Sequence, residues 1–276
     1  NNYYIRKSSG QKERFDLDKF ARSLKKAGAQ ESVITHIINQ VKKQKPKSTK
    51  KIHEIATTLL RETKPSVADR YNLKQALMEL GPHGFSFEQF VAVLFEKMGY
   101  TTETNKTIEG ECVAHEVDVV ALKNNNHCMV EAKFHNRRGY KSDVKVALYV
   151  QARYEDIKAA WERDPQHAYH PFHVVWIITN TKFTTQAIAY GNCKNMKLLG
   201  WDYPQKNNLA HLVEKYQLFP ITTLTSLTKN QKKQFLKKGF VMCKDAEKQR
   251  TLLKSMGLKA GEIEKIIKEA NAVCTI

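Results

Sequence analysis

The stretch that decides the fold is EVDVVAL at residues 116–122, followed by CMVEAKF at residues 128–134. Both segments are apolar and rich in valine, so each one predicts a largely buried β-strand. The intervening KNNNH at residues 123–127 has the polar composition of a tight turn. The two segments are therefore expected to pair as a hairpin.

Three charged side chains interrupt this hairpin, namely Asp118, Glu131 and Lys133. A buried ionised group is costly unless it is paired or bound to a cation. Residues two apart on a strand share a face, so Glu131 and Lys133 point the same way and Asp118 can lie across from them. Carboxylates suit Mg²⁺, and a lysine can position the attacking water or neutralise a phosphate. The cluster indicates a metal-dependent nuclease; the alternative is an internal salt bridge from Lys133 to Glu131 or Asp118.

The segments on either side of the hairpin predict an α/β (α+β) fold in which helices flank a mixed sheet. Ser86 is the expected N-cap of the first helix, with Gln89 completing a capping box. The predicted order is α-β-β-β-α-β-α-β, over residues 86–98, 100–105, 116–122, 128–134, 142–163, 172–179, 183–190 and 196–201. The buried stripe of the helix at 142–163 is expected to include Val144, Ala147, Leu148, Gln151, Tyr154 and Ile157.

This order and its motifs resemble the PD-(D/E)xK nucleases, and more narrowly the catalytic domain of Mrr-type restriction endonucleases, over residues 84–220. The matching segments are FEQF at 87–90, VDVV at 117–120, VEAK at 130–133, ITNTKFT at 178–184 and LLGW at 198–201. Val117 stands where the superfamily name has proline, and His115 and Glu116 replace the usual glycines.

The resemblance implies a role for each residue of the cluster. Asp118 and Glu131 would bind Mg²⁺, Lys133 would assist the water, and Glu88 would support the metal site from the first helix. The implied reaction is hydrolysis of phosphodiester bonds in double-stranded DNA, as in restriction or defence enzymes; branched DNA or RNA is the alternative substrate for the same chemistry. Cutting both strands normally needs two active sites, so we expect a homodimer, a higher homo-oligomer or a DNA-induced pairing.

Four further residues are candidate DNA contacts. His135, Arg137 and Arg138 follow Lys133 in an expected loop, and a basic loop can bind phosphates or can simply be solvated. Gln151 interrupts an apolar helical stripe, where it can contact a phosphate or be a buried glutamine with its own hydrogen bonds.

Residues 1–81 form a separate unit in this interpretation. Two short strands, at 3–7 and 12–15, precede helices predicted at 18–27, 32–43, 49–63 and 67–80. The segment resembles the ATP-cone, a regulatory module of ribonucleotide reductases and their repressors. The resemblance is carried by IRKSSG at 5–10, ERFDLDKF at 13–20, TKKIHE at 49–54 and Tyr71.

The cone resemblance implies an ATP or dATP site made by five side chains, Lys7, Glu13, Lys19, Thr49 and His53. Thr49 and His53 are four apart, so they share a helical face. Cones usually carry Arg-Asp where this chain has Ser8 and Ser9, a departure that either weakens phosphate binding or marks a degenerate site. No G-x-x-x-x-G-K-[ST] sequence is present, so the nucleotide is expected to act as a regulatory signal.

The basic charge is concentrated at the two ends of the chain. Residues 1–80 hold 18 basic and 8 acidic residues, a net +10; residues 81–220 hold 16 and 15, a net +1; residues 221–276 hold 12 and 5, a net +7. This distribution favours a nuclease that flanking regions hold on DNA, although it also suits an anionic nucleotide site.

The tail, residues 221–276, predicts three short helices at 229–238, 246–256 and 260–270. It is either a DNA-binding helical hairpin or an appendage for packing or dimerisation.

Cysteine usage and hydropathy predict a reduced, cytoplasmic protein that does not enter a membrane. The five cysteines show no CxxC spacing, and the chain has no signal peptide and no apolar run near twenty residues. A different class of function remains open, a nucleotide-sensing DNA-binding regulator whose nuclease fold is inactive. Repressors with a cone carry a cysteine zinc ribbon that this chain lacks, which favours the endonuclease.

Overall fold

The structure, a computed structural model, describes residues 3–7, 10–81, 84–137, 139–167 and 170–274. It contains two compact units. One is the continuous segment Met78–Leu218, and the other combines Asn1–Leu77 with Phe219–Ile276. Both units agree with the predicted fold class: a mixed sheet with flanking helices, and a helical unit with a small hairpin.

The continuous unit has the predicted order of main elements. In chain order these are α6 (Phe85–Lys97), β3 (Thr101–Glu109), β4 (Ala114–Lys123), β5 (Asn126–Lys133), β6 (Lys141–Ser142), α7 (Val144–Arg163), β7 (Phe172–Thr179), β8 (Lys182–Phe183), α8 (Thr185–Cys193), β9 (Lys197–Leu199) and α9 (Leu209–Lys215). The main sheet has the order β3-β4-β5-β7-β9, and β6 pairs with β8 in a second, parallel sheet.

The central hairpin forms as predicted. Strands β4 and β5 are antiparallel, with a register that runs from Val119 opposite Val130 to Lys123 opposite Asn126. The two loop residues, Asn124 and Asn125, have φ angles of 50° and 62°, as a type I′ turn requires. The partner of β5 on its other edge is β7, which is parallel to it. The sheet is therefore mixed, with the hairpin at its antiparallel side.

Helices α6 and α7 cover opposite faces of this sheet. Successive residues of a strand point to opposite faces. Accordingly Ile177 belongs to the core that α7 completes with Val150 and Ile157, whereas the ring of Trp176 packs 5.4 Å from that of Phe95 on α6. This arrangement places the side chains of β5 alternately under α6 and under α7.

Two helix details differ from the sequence prediction. Helix α6 begins at Phe85 after Gly84 and has no side-chain cap, so Ser86 is a buried residue of the first turn and the predicted capping box is absent. The buried stripe of α7 is rotated from the predicted one, because Leu148 is 47% exposed while Val150 and Arg153 are buried.

The discontinuous unit begins with a hairpin and is otherwise helical. Its elements are β1 (Tyr4–Arg6), β2 (Lys12–Arg14), α1 (Leu17–Lys26), α2 (Glu31–Gln44), α3 (Thr49–Thr63), α4 (Pro65–Tyr71), α5 (Leu73–Met78), α10 (Lys229–Lys237), α11 (Asp245–Lys248), α12 (Arg250–Ser255) and α13 (Ala260–Cys274). The tail helices pack on the N-terminal helices, and Thr222 donates a 2.7 Å hydrogen bond to the carbonyl of Ala76.

Two helices predicted as continuous are each divided in two. The predicted helix 67–80 is interrupted at Asn72, between α4 and α5, and the predicted helix 246–256 is interrupted at Gln249. Within the described ranges, no helix is both long and apolar enough to cross a membrane.

Candidate active site

Asp118 is held at the end of the β4-β5 ladder by a backbone group of the neighbouring strand. The paired register stops at Val119, and beyond it the Asp118 carboxylate accepts a 2.7 Å hydrogen bond from the backbone N–H of Ala132. The carboxylate thus replaces a strand carbonyl as the acceptor for that N–H. This contact fixes the Asp118 side chain beside β5, as the hairpin prediction requires.

Glu131 is the most buried acid of the cluster, at 2% exposure, and cations bind both of its oxygens. The Lys133 ammonium lies 2.5 Å from Oε1, and Nη1 of Arg153 donates to Oε2 at 2.6 Å. Lys133 and Glu131 therefore form the internal salt bridge that is the alternative explanation for this cluster. Lys133 is less buried than its partner, with 32% of its side chain exposed.

Arg153 connects α7 to both strands of the hairpin. Besides its bond to Glu131, its Nη2 donates to the backbone carbonyl of Glu116 on β4. Its guanidinium carbon lies 5.3 Å from the centre of the Tyr149 ring, a distance at which a cation and an aromatic face attract. A guanidinium presents its donors in a rigid fork, so this one residue sets the spacing of Glu131 and the β4 backbone.

The carboxylates of the cluster repel one another. Burial, and then the charge of Glu131, raise the pKa of Asp118 to about 6, against the opposing effects of the Ala132 N–H and of Lys133. Burial, and then the charges of Asp118, Glu116 and Glu131, raise the pKa of the Glu88 carboxyl to about 7. Glu88 on α6 therefore belongs to the same electrostatic cluster.

The loop after Lys133 is anchored through its backbone. The fully buried Asn180 accepts from the His135 N–H at 2.9 Å and donates to the His135 carbonyl at 2.8 Å. The His135 ring bonds Ser142 at 2.9 Å, and burial together with Lys133 lowers its pKa, which favours the neutral ring. Arg137 is exposed on the same loop. Arg138 lies outside the described residues.

Gln151 is buried, but no recorded contact joins it to the cluster. Its amide nitrogen donates to Glu155 at 2.8 Å, and its Oε1 has no hydrogen-bond partner among the described residues. Its carbonyl oxygen is therefore a buried acceptor without a partner among the described residues, while its amide pairs with Glu155 on the same helix.

The predicted nucleotide residues of the cone lie on the hairpin and on helices α1 and α3. Lys7 and Glu13 form a 2.5 Å ion pair, and the Thr49 hydroxyl donates to the Arg6 carbonyl at 3.5 Å. His53, one turn after Thr49, forms a 2.6 Å hydrogen bond with Asn72. These contacts bring four of the five predicted residues near the hairpin and its supporting helix.

The fifth residue, Lys19, is exposed on α1, and no contact of its side chain with the other four is recorded. Ser8 and Ser9, the two positions at which this chain departs from the cone pattern, lie outside the described residues.

Sequence reasoning missed three residues that position others. Arg153 stands one residue from the apolar stripe of α7, and an arginine at such a position opposite a buried glutamate is a signal for an ion pair. Asn180 follows directly after a buried strand, where a polar residue is unusual. Asn72 accepts from Thr57 and bonds His53 at the break between two helices, and no local pattern predicted that break.

Three protein-family models match successive parts of this chain. An ATP cone domain matches residues 3–76, a restriction endonuclease domain of the Mrr catalytic type matches residues 81–205, and an AF1548-like C-terminal domain matches residues 219–274. The first two confirm the predicted fusion of a cone with an Mrr-type domain.

A similar sequence and a similar solved structure each cover about two thirds of this chain. An uncharacterized protein of Archaeoglobus fulgidus is 36% identical over 184 residues, which are 66% of this chain and 99% of that protein. The crystal structure of a protein of unknown function, AF1548, is similar with a TM-score of 0.57 at 35% identity, and covers 70% of this chain and 98% of its own.

Proposed function

Because this chain belongs to the family of that Archaeoglobus fulgidus protein and joins an ATP cone to a restriction endonuclease domain, we propose that it is a nucleotide-regulated endonuclease. In this proposal it hydrolyses phosphodiester bonds of double-stranded DNA with Mg²⁺, and ATP or dATP bound to the cone controls the cleavage. A restriction or defence role follows from the same family resemblance.

The observation that carries the proposal is the cluster of Asp118, Glu131 and Lys133 at one end of the β4-β5 hairpin. Two carboxylates and an ammonium are held there by a backbone N–H and a buried arginine. Such a cluster contributes little to folding stability, because its members must be desolvated. A catalytic role gives a reason for keeping it.

The donor set fits a magnesium ion with few protein ligands. Asp118 and Glu131 supply hard oxygens, and the pKa of Asp118 is raised by burial and by repulsion from Glu131, which a divalent cation would relieve. No group of three or more His, Cys, Asp or Glu residues arranged for a metal occurs among the described residues. Mg²⁺ does not need one, since it usually keeps several waters. When bound, the ion supplies a more acidic water and neutralises phosphate charge.

The protein's own groups then have separate tasks. Lys133, the cation nearest to solvent, is positioned to hold a phosphate oxygen and to stabilise the charge that develops on it. Arg153 pairs with Glu131 on the side of helix α7 and fixes the orientation of its carboxylate. The Ala132 N–H orients Asp118, and Glu88 adds a third carboxylate close to the same point.

The proposed control by nucleotide is exerted through the cone. Lys7, Glu13, Lys19, Thr49 and His53 would contact ATP or dATP. A nucleotide that binds one conformation more tightly shifts the population of the nuclease by that difference in affinity. Two copies of the chain would supply the two sites for cutting both strands. His135, Arg137, Arg138 and Gln151 remain the proposed DNA contacts in the nuclease domain.

One observation favours the alternative of a DNA-binding regulator with an inactive nuclease fold. Both oxygens of Glu131 are engaged by cations, so a metal has to compete with Lys133 and Arg153 for this carboxylate. The Lys133 contact is the one that can yield, because that side chain is partly exposed.

The test is metal-dependent cleavage of supercoiled plasmid by the full chain and by Lys133→Met. We expect the variant to lose cleavage by at least about a hundred-fold while DNA affinity changes little. Lys158→Met is the matched control, since Lys158 is a half-exposed lysine of α7 paired with Glu162, and it should cut normally. Tight DNA binding without cleavage by the wild type under any condition would establish the regulator instead.

A further inference from the structure

A wide cavity opens beside the N-terminal hairpin. Its volume is about 690 Å³, and its lining includes Tyr4, Arg6, Lys12, Lys45 and Lys47. None of the five residues proposed to bind nucleotide lines it. It is therefore a second candidate binding site within the unit that contains the cone.

The charge of this cavity is positive and is not neutralised. Arg6, Lys12, Lys45 and Lys47 are exposed, and none of them forms an ion pair with an acidic side chain among the described residues. The lining contains no aspartate or glutamate. Lys7, by contrast, is paired with an acid on β2. Four unpaired cations around one cavity attract an anion, and a polyanion most strongly.

The strand pattern of the hairpin explains why these groups share one side. Tyr4 and Arg6 alternate with the buried Ile5, and Arg6 pairs with Lys12 on β2. Cross-strand partners point to the same face, so Tyr4, Arg6 and Lys12 all lie on the exposed face. Tyr4 is 71% exposed there, which is unusual for so large an aromatic side chain.

The two remaining lysines come from a loop that is fixed to the hairpin. Lys45 ends α2 in a left-handed conformation with φ 44°, and Pro46 is buried beside it. The carbonyl of Lys47 accepts a 2.9 Å hydrogen bond from the Arg6 N–H. These backbone contacts hold the main chain of both lysines beside the hairpin, so that their exposed side chains start from the same side of it.

We propose that this cavity binds the phosphodiester backbone of DNA, and so anchors the substrate through the unit that contains the cone. Lysine, arginine and tyrosine side chains are common phosphate contacts. The nuclease segment 81–220 has a net charge of only +1, whereas residues 1–80 have +10. A nearly neutral nuclease domain binds phosphate weakly by itself, so a basic segment of the same chain increases the affinity for DNA. The inference rests on the proposed function only in taking DNA as the substrate.

The experiment measures DNA binding by the full chain without Mg²⁺, using a labelled duplex over a series of salt concentrations. Replacing Lys45 and Lys47 together by glutamine should lower the slope of log K against log salt by about 2, because each phosphate contact contributes about 0.9. Affinity should fall on the order of ten-fold or more at ~0.1 M salt. Tyr4→Ala should weaken binding without changing this slope.

The matched control is the double variant Arg22→Gln with Lys26→Gln. Both residues are exposed on α1 in the same unit and lie outside the cavity, and we expect them to leave the slope unchanged. An equal loss in the control would overturn the proposal, because it would indicate a general charge effect. An unchanged slope in the Lys45 and Lys47 variant would also overturn it.

Calorimetric titration with ATP separates the two phosphate sources. ATP binding should be the same in the wild type and in the double variant of Lys45 and Lys47. Loss of ATP binding with intact DNA binding would assign the cavity to a nucleotide and overturn the proposal. DNA binding with the expected slope, but without any cleavage in Mg²⁺, would refute the endonuclease function and leave this inference standing.

Discussion

At the residue scale, Asp118 combines a structural task with a proposed catalytic one. Its carboxylate is the acceptor for the Ala132 N–H and is also a proposed magnesium ligand. The two tasks can be separated, because an amide oxygen accepts a hydrogen bond but is a much poorer ligand than a carboxylate for a hard cation.

Asp118→Asn is therefore expected to fold with nearly wild-type stability and to lose cleavage. Asp118→Ala should lose cleavage as well, and should also be destabilised by about 1–3 kcal/mol, because it leaves the Ala132 N–H without its acceptor. Denaturant unfolding and plasmid cleavage of both variants check this. Cleavage at the wild-type rate by Asp118→Asn would remove Asp118 from the metal site.

Arg153 is the second residue whose role can be isolated. Arg153→Met should destabilise the protein by about 3 kcal/mol, the lower end for breaking a buried ion pair, because Lys133 still neutralises Glu131. Arg153→Lys restores a charge but not the fork that reaches both Glu131 and the β4 backbone, so it should recover stability better than activity. Arg163→Met, at an exposed pair on the same helix, should cost less than about 1 kcal/mol.

The candidate site could be predicted from sequence only where the pattern is local. Asp118, Glu131 and Lys133 follow from strand alternation and one short turn, and the structure brings them together. Arg153 could not be placed in this way, because its role depends on the rotation of a helix that joins the hairpin from elsewhere in the chain. The predicted buried stripe of α7 includes Leu148, which is exposed in the structure, and leaves out Arg153, which is buried.

At the element scale, the two-residue turn sets the hairpin register that brings the cluster together. Asn124 and Asn125 both have positive φ, which asparagine tolerates and glycine adopts without strain. Asn125→Gly should therefore raise the free energy of unfolding by about 0.5 kcal/mol and leave cleavage unchanged. Asn125→Val should lower stability, since a β-branched residue is strained at positive φ. Thermal unfolding of both variants checks these predictions. An Asn125→Val variant as stable as the wild type would contradict this account of the turn.

Most elements could be predicted because their signals are short-range. The α-β-β-β-α-β-α-β order follows from apolar periodicity, and α10 begins close to its predicted position, where Thr228 caps it. The errors lie where tertiary contacts override local preference. Asn72 interrupts a helix to bond His53 and Thr57, and Ser86 is buried in the α6 turn instead of capping it.

At the scale of the whole molecule, the N-terminal segment and the tail belong to one compact unit, which contains an unusual buried acid. Asp69 on α4 is 1% exposed, and neither of its oxygens has a hydrogen-bond partner among the described residues. Burial, and then the charge of Glu269 on α13, raise its pKa to about 7, against the opposing charges of Arg61 and Lys232. Ionisation of Asp69 therefore lowers the stability of the unit formed by the N-terminal segment and the tail.

This acid predicts a specific dependence of stability on pH. The pKa of Asp69 in the folded protein, about 7, lies above its ordinary value of 3.8, so the folded state binds the proton more tightly. Its effect is to reduce stability as the pH rises from about 4 to about 7, with no further change above that range. Asp69→Asn should raise the free energy of unfolding more at pH 8 than at pH 5, by about 2.5 kcal/mol.

Denaturant unfolding at both pH values checks this prediction. The exposed Asp18→Asn is the matched control and should change stability by no more than about 0.5 kcal/mol at either pH. An equal effect of Asp69→Asn at pH 5 and pH 8 would show that Asp69 does not titrate in this window.

The measurement that tests the central claim most directly is Mg²⁺-dependent cleavage of plasmid and phage DNA by the wild type and Glu131→Ala, each with and without ATP. We predict nicking or linearisation by the wild type, a change of its rate by ATP, and no cleavage by Glu131→Ala under either condition. Cleavage by Glu131→Ala at the wild-type rate would contradict the assignment of the active site. Absence of cleavage by the wild type in every condition, together with tight DNA binding, would contradict the endonuclease itself.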